Sequence, residues 1–183
     1  WRIAHVGVIF IPVLFHHFVV AFAGLRRPRM LAAAYGAGTA FLAADATPLF
    51  VAGVRPAFNQ FYYDSPPTAL YVVFVAFFVG LLIVSHLELW RFLRRAKPGP
   101  QRILTQWFLA GTVIGFGGGA TCFLPVFGLD LYPYGNFAVS LFPLIMTYAF
   151  LRYRLMAVNV ALLRGAMFLA LYTVVVAVPF VAG

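Results

Sequence analysis

The chain is poor in charge, and poorer still in charge of one sign. Only 9% of its 183 residues are charged, with four acidic side chains against thirteen basic ones. A soluble domain carries roughly 25% charged residues, so a water-soluble fold of ordinary surface is excluded. The single cysteine, Cys122, cannot form an internal disulfide, and its place inside an apolar run says nothing about redox compartment. The sequence also lacks a His-Glu-x-x-His pair, a nucleophile elbow and any Cys/His cluster at metal spacing. With so few carboxylates as well, an enzymatic activity carried by these residues is not expected.

What the chain does have is hydrocarbon. Sixty-four per cent of its residues are hydrophobic, and they fall in runs near the ~20 residues that a helix needs to cross a ~30 Å apolar core. Six such spans are read: 3–23, 30–51, 68–90, 103–127, 135–151 and 161–182. They are long and solidly apolar rather than short and alternating, which excludes a β-barrel. The fold expected is all-α, a polytopic transmembrane helical bundle of about six spans, forming one domain over residues 1–183. Both ends, Trp1 and Gly183, fall at apolar segments and look cut from something longer.

The net charge of +9 would point to nucleic acid in a soluble protein. Here it has a blander cause. Arg26, Arg27 and Arg29 follow the first span; Arg91, Arg94, Arg95, Lys97 and Arg102 follow the third; Arg152, Arg154 and Arg164 follow the fifth. Eleven of the thirteen basic residues therefore share one side, with Arg2 and Arg55 left for the other. The excess of Lys and Arg in cytoplasmic loops puts those three loops inside and the N-terminus of the chain outside. The opposite loops, 59–67 and 130–134, are rich in Tyr and Pro, the former suited to the headgroup level and the latter to breaking helices. Trp90 and Trp107 read as anchors at the inner interface. No nucleic-acid partner is expected.

Helices in lipid associate through close fit, which small residues permit. Gly36 and Gly38 in the second span, and Gly111, Gly115 and Gly119 at four-residue spacing in the fourth, are the candidate packing faces. Pro12, Pro125, Pro143 and Pro179 predict bends.

Ionisable groups at membrane depth cost at least ~2.5–3.5 kcal/mol when charged and are functional candidates by default. Asp45 leads them, on the Gly38/Phe41 face of the second span, as a ligand or ion contact, a proton-sensitive switch, or a pin between helices. His16 and His86 stand at similar depth on different spans and are the other ligand-binding candidates. A bis-His haem built on them is the alternative to polar packing, and no cofactor is expected. Glu88 and Arg91 have the spacing of a helix-surface ion pair. His5 lies near the outer interface and carries no information of its own.

Two stretches resemble the multi-helix membrane region at the N-terminus of bacterial sensor histidine kinases. One is WRIAHVGVIFIPVLFHHFVVAF at 1–22; the other is FPLIMTYAFLRYRLM at 142–156, followed by Asn159 and LRGAMF at 163–168. In that family the second segment closes one helix, crosses the cytoplasmic face and opens the next. An acidic residue common after it is replaced here by Ala157 or Asn159. The resemblance implies a multi-pass protein of the bacterial inner membrane, with further helix upstream and cytoplasmic signalling domains downstream. It implies a non-catalytic sensory input domain, whose partners would be the bilayer and a cytoplasmic signalling domain, with oligomers allowed. The competing expectation is a structural accessory subunit packed against other membrane subunits. An ion- or haem-handling protein ranks third.

Overall fold

A computed structural model describes residues 2–58, 61–64 and 67–153. They form five α-helices: α1 (Arg2–Phe22), α2 (Pro28–Asp45), α3 (Ala69–Arg95), α4 (Pro100–Gly119) and α5 (Leu141–Tyr153). The sixth expected span, 161–182, lies outside the described residues, as do Arg154 and Arg164. Three of the helical stretches, His5–Phe22, Ala69–Arg95 and Pro100–Phe127, are long and apolar enough to cross a membrane. Their outward faces carry exposed Leu14, Val73 and Ile83, as surfaces solvated by lipid do.

The boundaries follow local chemistry. α1 ends on Gly24, whose φ of +63° is left-handed. The amide of Leu25 donates to the Val20 carbonyl at 2.9 Å and that of Gly24 to Ala21 at 3.2 Å, the paired bonds of a glycine-terminated helix. Pro28 then opens α2, where its missing N–H costs nothing. Expected to run to Val51, α2 stops at Asp45 instead, because Pro48 cannot continue a helix and disfavours helical backbone just before it. Thr68 caps α3 by accepting from the Tyr71 amide at 3.1 Å, and the helix continues past Trp90 to end on Arg94 and Arg95.

Two expected spans are not α-helix throughout. Beyond Gly119 the fourth tightens into 3₁₀ turns at Ala120–Phe123 and Pro125–Phe127, and the fifth begins as a 3₁₀ run, Tyr134–Ser140, before α5. Between α2 and α3, where only a helix-breaking loop was expected, a short antiparallel hairpin forms. Its strands β1 (Val54–Ala57) and β2 (Phe61–Asp64) pair Val54 with Asp64 and Ala57 with Phe61. Val, Phe and Tyr fit a pleated ribbon better than a turn.

α1 packs on α2 and α3, and α4 packs on α3, α5 and the Tyr134–Ser140 run. His16 meets Ser85 and Arg27 meets Glu88, so α1 and α3 run parallel, while α2 returns against α1. Trp107 against Tyr148, ring centroids 5.4 Å apart, and Gly115 against Phe142 make α5 antiparallel to α4. Arg26, Arg27, Arg29, Arg91, Arg94, Arg95, Lys97, Arg102 and Arg152 accordingly gather at one end of the bundle, all of them exposed, while Arg55 lies on β1 at the other.

Small residues set the α4 contact. A Cβ on Gly111 would stand 3.1 Å from the Phe142 ring, one on Gly115 3.3 Å from the Phe142 Cβ, and one on Gly119 3.2 Å from Val139. The tightest crossing is at Gly118, where a Cβ would land on the carbonyl oxygen of Gly135 and 2.6 Å from Ala138. On α2, Gly38 admits Phe10 and Val13 of α1. Gly36, expected on a packing face, instead looks onto open space, with no described atom within 4 Å of its would-be Cβ. Hydroxyls inside the bundle are satisfied within their own helices: Ser85 donates to Leu81 at 2.7 Å, Thr105 to Gln101 at 2.7 Å and Thr112 to Phe108 at 2.8 Å.

Candidate functional site

Asp45 is the last residue of α2 and the end of its buried stripe, Ala34, Gly38, Phe41 and Asp45. Its carboxylate is only 4% exposed and faces His5 of α1, the imidazole of which is 8% exposed. A carboxylate can only accept, so the His5 Nδ1–H donates to Asp45 Oδ1, at 3.2 Å. His5 is therefore the partner of the leading candidate, which corrects the view of it as an uninformative interfacial residue. Its ring also stands edge-on to Phe50, centroids 5.6 Å apart, and 5.9 Å from Tyr71. The fully buried Phe50 is held in turn by its carbonyl, which accepts from Thr68 Oγ1 at 2.9 Å. One polar pair is thus set in an aromatic collar at the end of the bundle opposite the basic residues.

Below this collar the helices do not close. A cavity of about 660 Å³ lies between α1, α3, α4 and the Tyr134–Ser140 run, with His5 at its upper end. On α1 its wall is the stripe His5, Val8, Ile11, Phe15 and Phe18; on α4 it is Phe108, Thr112, Gly115, Phe116 and Gly119. Each stripe follows the three- and four-residue spacing of one helix face. Phe78, Phe123 and Phe142 complete a lining that is almost wholly apolar. Phe18 against Phe108, centroids 5.0 Å apart, and Phe15 against Phe116, at 4.7 Å, hold the lower part. The volume is within the ~300–1,000 Å³ range of small-molecule sites. Cys122 also lines the cavity.

His16 and His86 stand at one level, as their depth in the sequence implies, but they do not face each other. His16 is fully buried and meets Ser85 of α3 at 3.0 Å. The one Ser85 hydrogen is already donated to Leu81, so His16 Nδ1–H must be the donor. His86 instead donates Nδ1–H to the Leu82 carbonyl at 2.8 Å and lies against Phe15 and Phe116. In both, Nε2 is buried without a hydrogen-bond partner among the described residues. With Phe15 opposite His86 and Ser85 opposite His16, a plane held between the two imidazoles is not what these contacts build. Among the described residues no three His, Cys, Asp or Glu side chains gather as metal ligands. A second hollow of about 560 Å³, lined by His86 and Trp90, shares Phe116 with the first. His17 bonds to the Tyr35 hydroxyl at 2.8 Å on an exposed face.

At the basic end Glu88 is the hub. Arg27 Nη2 donates to its Oε1 at 3.2 Å, and Arg91 stands 3.8 Å from the same oxygen. The sequence spacing gives the second of these contacts; the first, across from the α1–α2 turn, arises only from the parallel packing of α1 on α3.

The family model describing the N-terminal 7TM region of histidine kinase matches residues 1–159. No curated protein and no solved structure matches the chain.

Proposed function

The chain belongs to the family of N-terminal 7TM regions of histidine kinases, and from that premise we propose that it is a non-catalytic sensory input domain. In this reading the basic end faces the cytoplasm, the His5–Asp45 end faces outward, and residues 1–183 act as one membrane domain on a cytoplasmic signalling domain. The observation that carries it is the cavity of about 660 Å³ shared by α1, α3 and α4. A void at the seam of a bundle gives its helices two ways to pack, one empty and one filled. A molecule that enters shifts the balance by as much as it prefers the filled form. Displacement of α4 is passed to α5 through the glycine-lined contact, and so to Arg152 at the basic end.

Spin labels at positions 95 and 152, in nanodiscs and in a Cys122→Ser background, test this. Hexadecane, a hydrocarbon that fills space without head-group chemistry, is expected to change the distance between them. An unchanged distance at saturating hexadecane, or copurification of the chain in fixed stoichiometry with other membrane subunits, would overturn the reading in favour of a structural accessory role.

A further inference from the structure

The shape and polarity of the cavity specify the ligand more narrowly, an inference that rests on the sensory reading above. The α1 stripe that lines it runs from His5 to Phe18, and at 1.5 Å per residue that wall is roughly 20 Å long. The cavity is therefore a slot rather than a sphere. Along the slot Ile11, Phe15 and Phe116 offer only hydrocarbon, and its lower part is narrowed by paired phenyl rings. Polar side chains are few: His5, engaged by Asp45, is joined in the lining by Tyr71 and Asn136, and the Thr112 hydroxyl farther down is spent on the Phe108 carbonyl. Pro12 lies inside α1 and has no N–H, so the Val8 carbonyl near that end loses its usual helical donor. The slot thus offers an imidazole, a phenol and an amide, groups that donate as well as accept, while no Lys or Arg is among the described residues lining it. An anionic head would find no fixed cation there, and a bare hydrocarbon end would gain nothing from these groups.

We propose that this slot binds a single-chain lipid alcohol, its linear hydrocarbon tail laid between α1 and α4 and its uncharged hydroxyl at the His5–Asp45 end. A linear tail matches the length and the aromatic walls, and a hydroxyl, which both donates and accepts, matches the uncharged polar side chains Tyr71 and Asn136. The occupant enters along the apolar face of the bundle, where Ile11 is 41% exposed.

The test is saturable binding of radiolabelled hexadecanol to the chain in nanodiscs, with hexadecane, palmitate and added phospholipid as competitors. Hexadecanol is expected to bind at one per chain, and hexadecane to compete about fivefold less well for want of one hydrogen bond. Ile11→Trp, which fills the middle of the slot from a partly exposed position, is expected to weaken binding by about tenfold or more through lost apolar contact. Leu14→Trp, on the lipid face and outside the slot, leaves binding unchanged. Equal competition by hexadecane and hexadecanol, or stronger competition by palmitate, overturns the assigned head group. Full competition by phospholipid shows a bilayer tail in the slot and overturns the proposal, as do equal affinities of the two Trp variants. The rate at which a lipophilic thiol reagent alkylates Cys122 separates the two levels. Protection by some lipophile other than hexadecanol overturns this ligand and leaves the cavity reading standing; protection by none overturns both.

Discussion

Removing the Asp45 carboxylate should destabilise the bundle by an amount set by what His5 loses, and removing both partners should restore most of it. The two side chains are 8% and 4% exposed, and their bond is 3.2 Å long. That is longer than the ~2.7–2.9 Å of a strong charge-assisted bond, so the pair belongs at the modest end of buried polar interactions. Asp45→Ala leaves a buried imidazole N–H without its acceptor, which costs about 1–3 kcal/mol. His5→Phe removes the donor instead and should cost a similar amount, because the buried Asp45 side chain then loses its partner. The double variant His5→Phe/Asp45→Leu replaces the pair by apolar groups in a collar already built of Phe50 and Tyr71. It should lie within about 1 kcal/mol of the parent. With each single cost near the lower end, about 1 kcal/mol, as a 3.2 Å bond implies, the coupling energy from the four proteins is about 1–2 kcal/mol, near the top of what interhelical bonds in membranes give. Denaturant titration in bicelles, followed by circular dichroism, measures it. A coupling near zero, with the two single costs simply adding, would show that the two side chains do not act as a pair and would refute the reasoning.

Three further outcomes follow from the packing. Gly118→Ala, whose methyl would land on the Gly135 carbonyl, should lower stability by about 1–3 kcal/mol; Gly117→Ala, with nothing described within 4 Å, should raise it by ~0.5–1 kcal/mol through helix propensity. The same denaturant titration ranks them. Glu88→Gln should cost less than about 1 kcal/mol, because Arg27 and Arg91 are half exposed or more and exposed pairs contribute little; a larger loss would mean that the Arg27 contact braces the bundle. Single cysteines at positions 94 and 132, in a Cys122→Ser background, should react with a membrane-impermeant maleimide from opposite sides of right-side-out vesicles. Labelling of both from one side would overturn the topology.

Helical periodicity alone placed Asp45 on the Gly38/Phe41 face, because a stripe repeating every three or four residues is a property of one helix. Charge counting likewise grouped the basic residues that the bundle brings to one end. His5 was illegible for the opposite reason: its partner is 40 positions away. A signal was nonetheless present. His5 and Asp45 stand 21 and 19 positions from Arg26, and His17 and Tyr35, which also bond, stand 9 positions each. Two antiparallel helices joined by a short turn bring such residues level, so folding the sequence about Arg26, within the connection that begins at Gly24, would have paired them. The hairpin β1–β2 was missed because its Tyr and Pro residues read as interface anchors and breakers. Gly118 was passed over for Gly111, Gly115 and Gly119 because a four-residue repeat favours one face, whereas the closest approach depends on the 3₁₀ run that crosses α4. The cavity had no sequence signature. Its walls are ordinary helix stripes, and only their separation makes a site.

That separation also bears on why a sensor would be built this way. Apolar side chains gain little from leaving lipid tails for a protein interior, so a bundle in a membrane has no strong drive to close every gap. A hollow between α1 and α4 therefore costs less here than in a water-soluble core, where each unfilled volume is a direct loss of stability. A ligand from the bilayer has correspondingly little to gain from apolar burial alone. Its preference for one packing must come from fit along the slot and from a polar contact at its end. The His5–Asp45 pair supplies such a contact on the two helices, α1 and α2, that meet at the Gly24 turn, next to Arg27 and its bond to Glu88 on α3. A shift of α1 at its outer end is carried along a rigid helix to that turn. If the bundle signals, Arg27→Ala should leave hexadecanol binding intact while reducing the distance change between labels at positions 95 and 152. Loss of binding with the distance response preserved would place the coupling elsewhere.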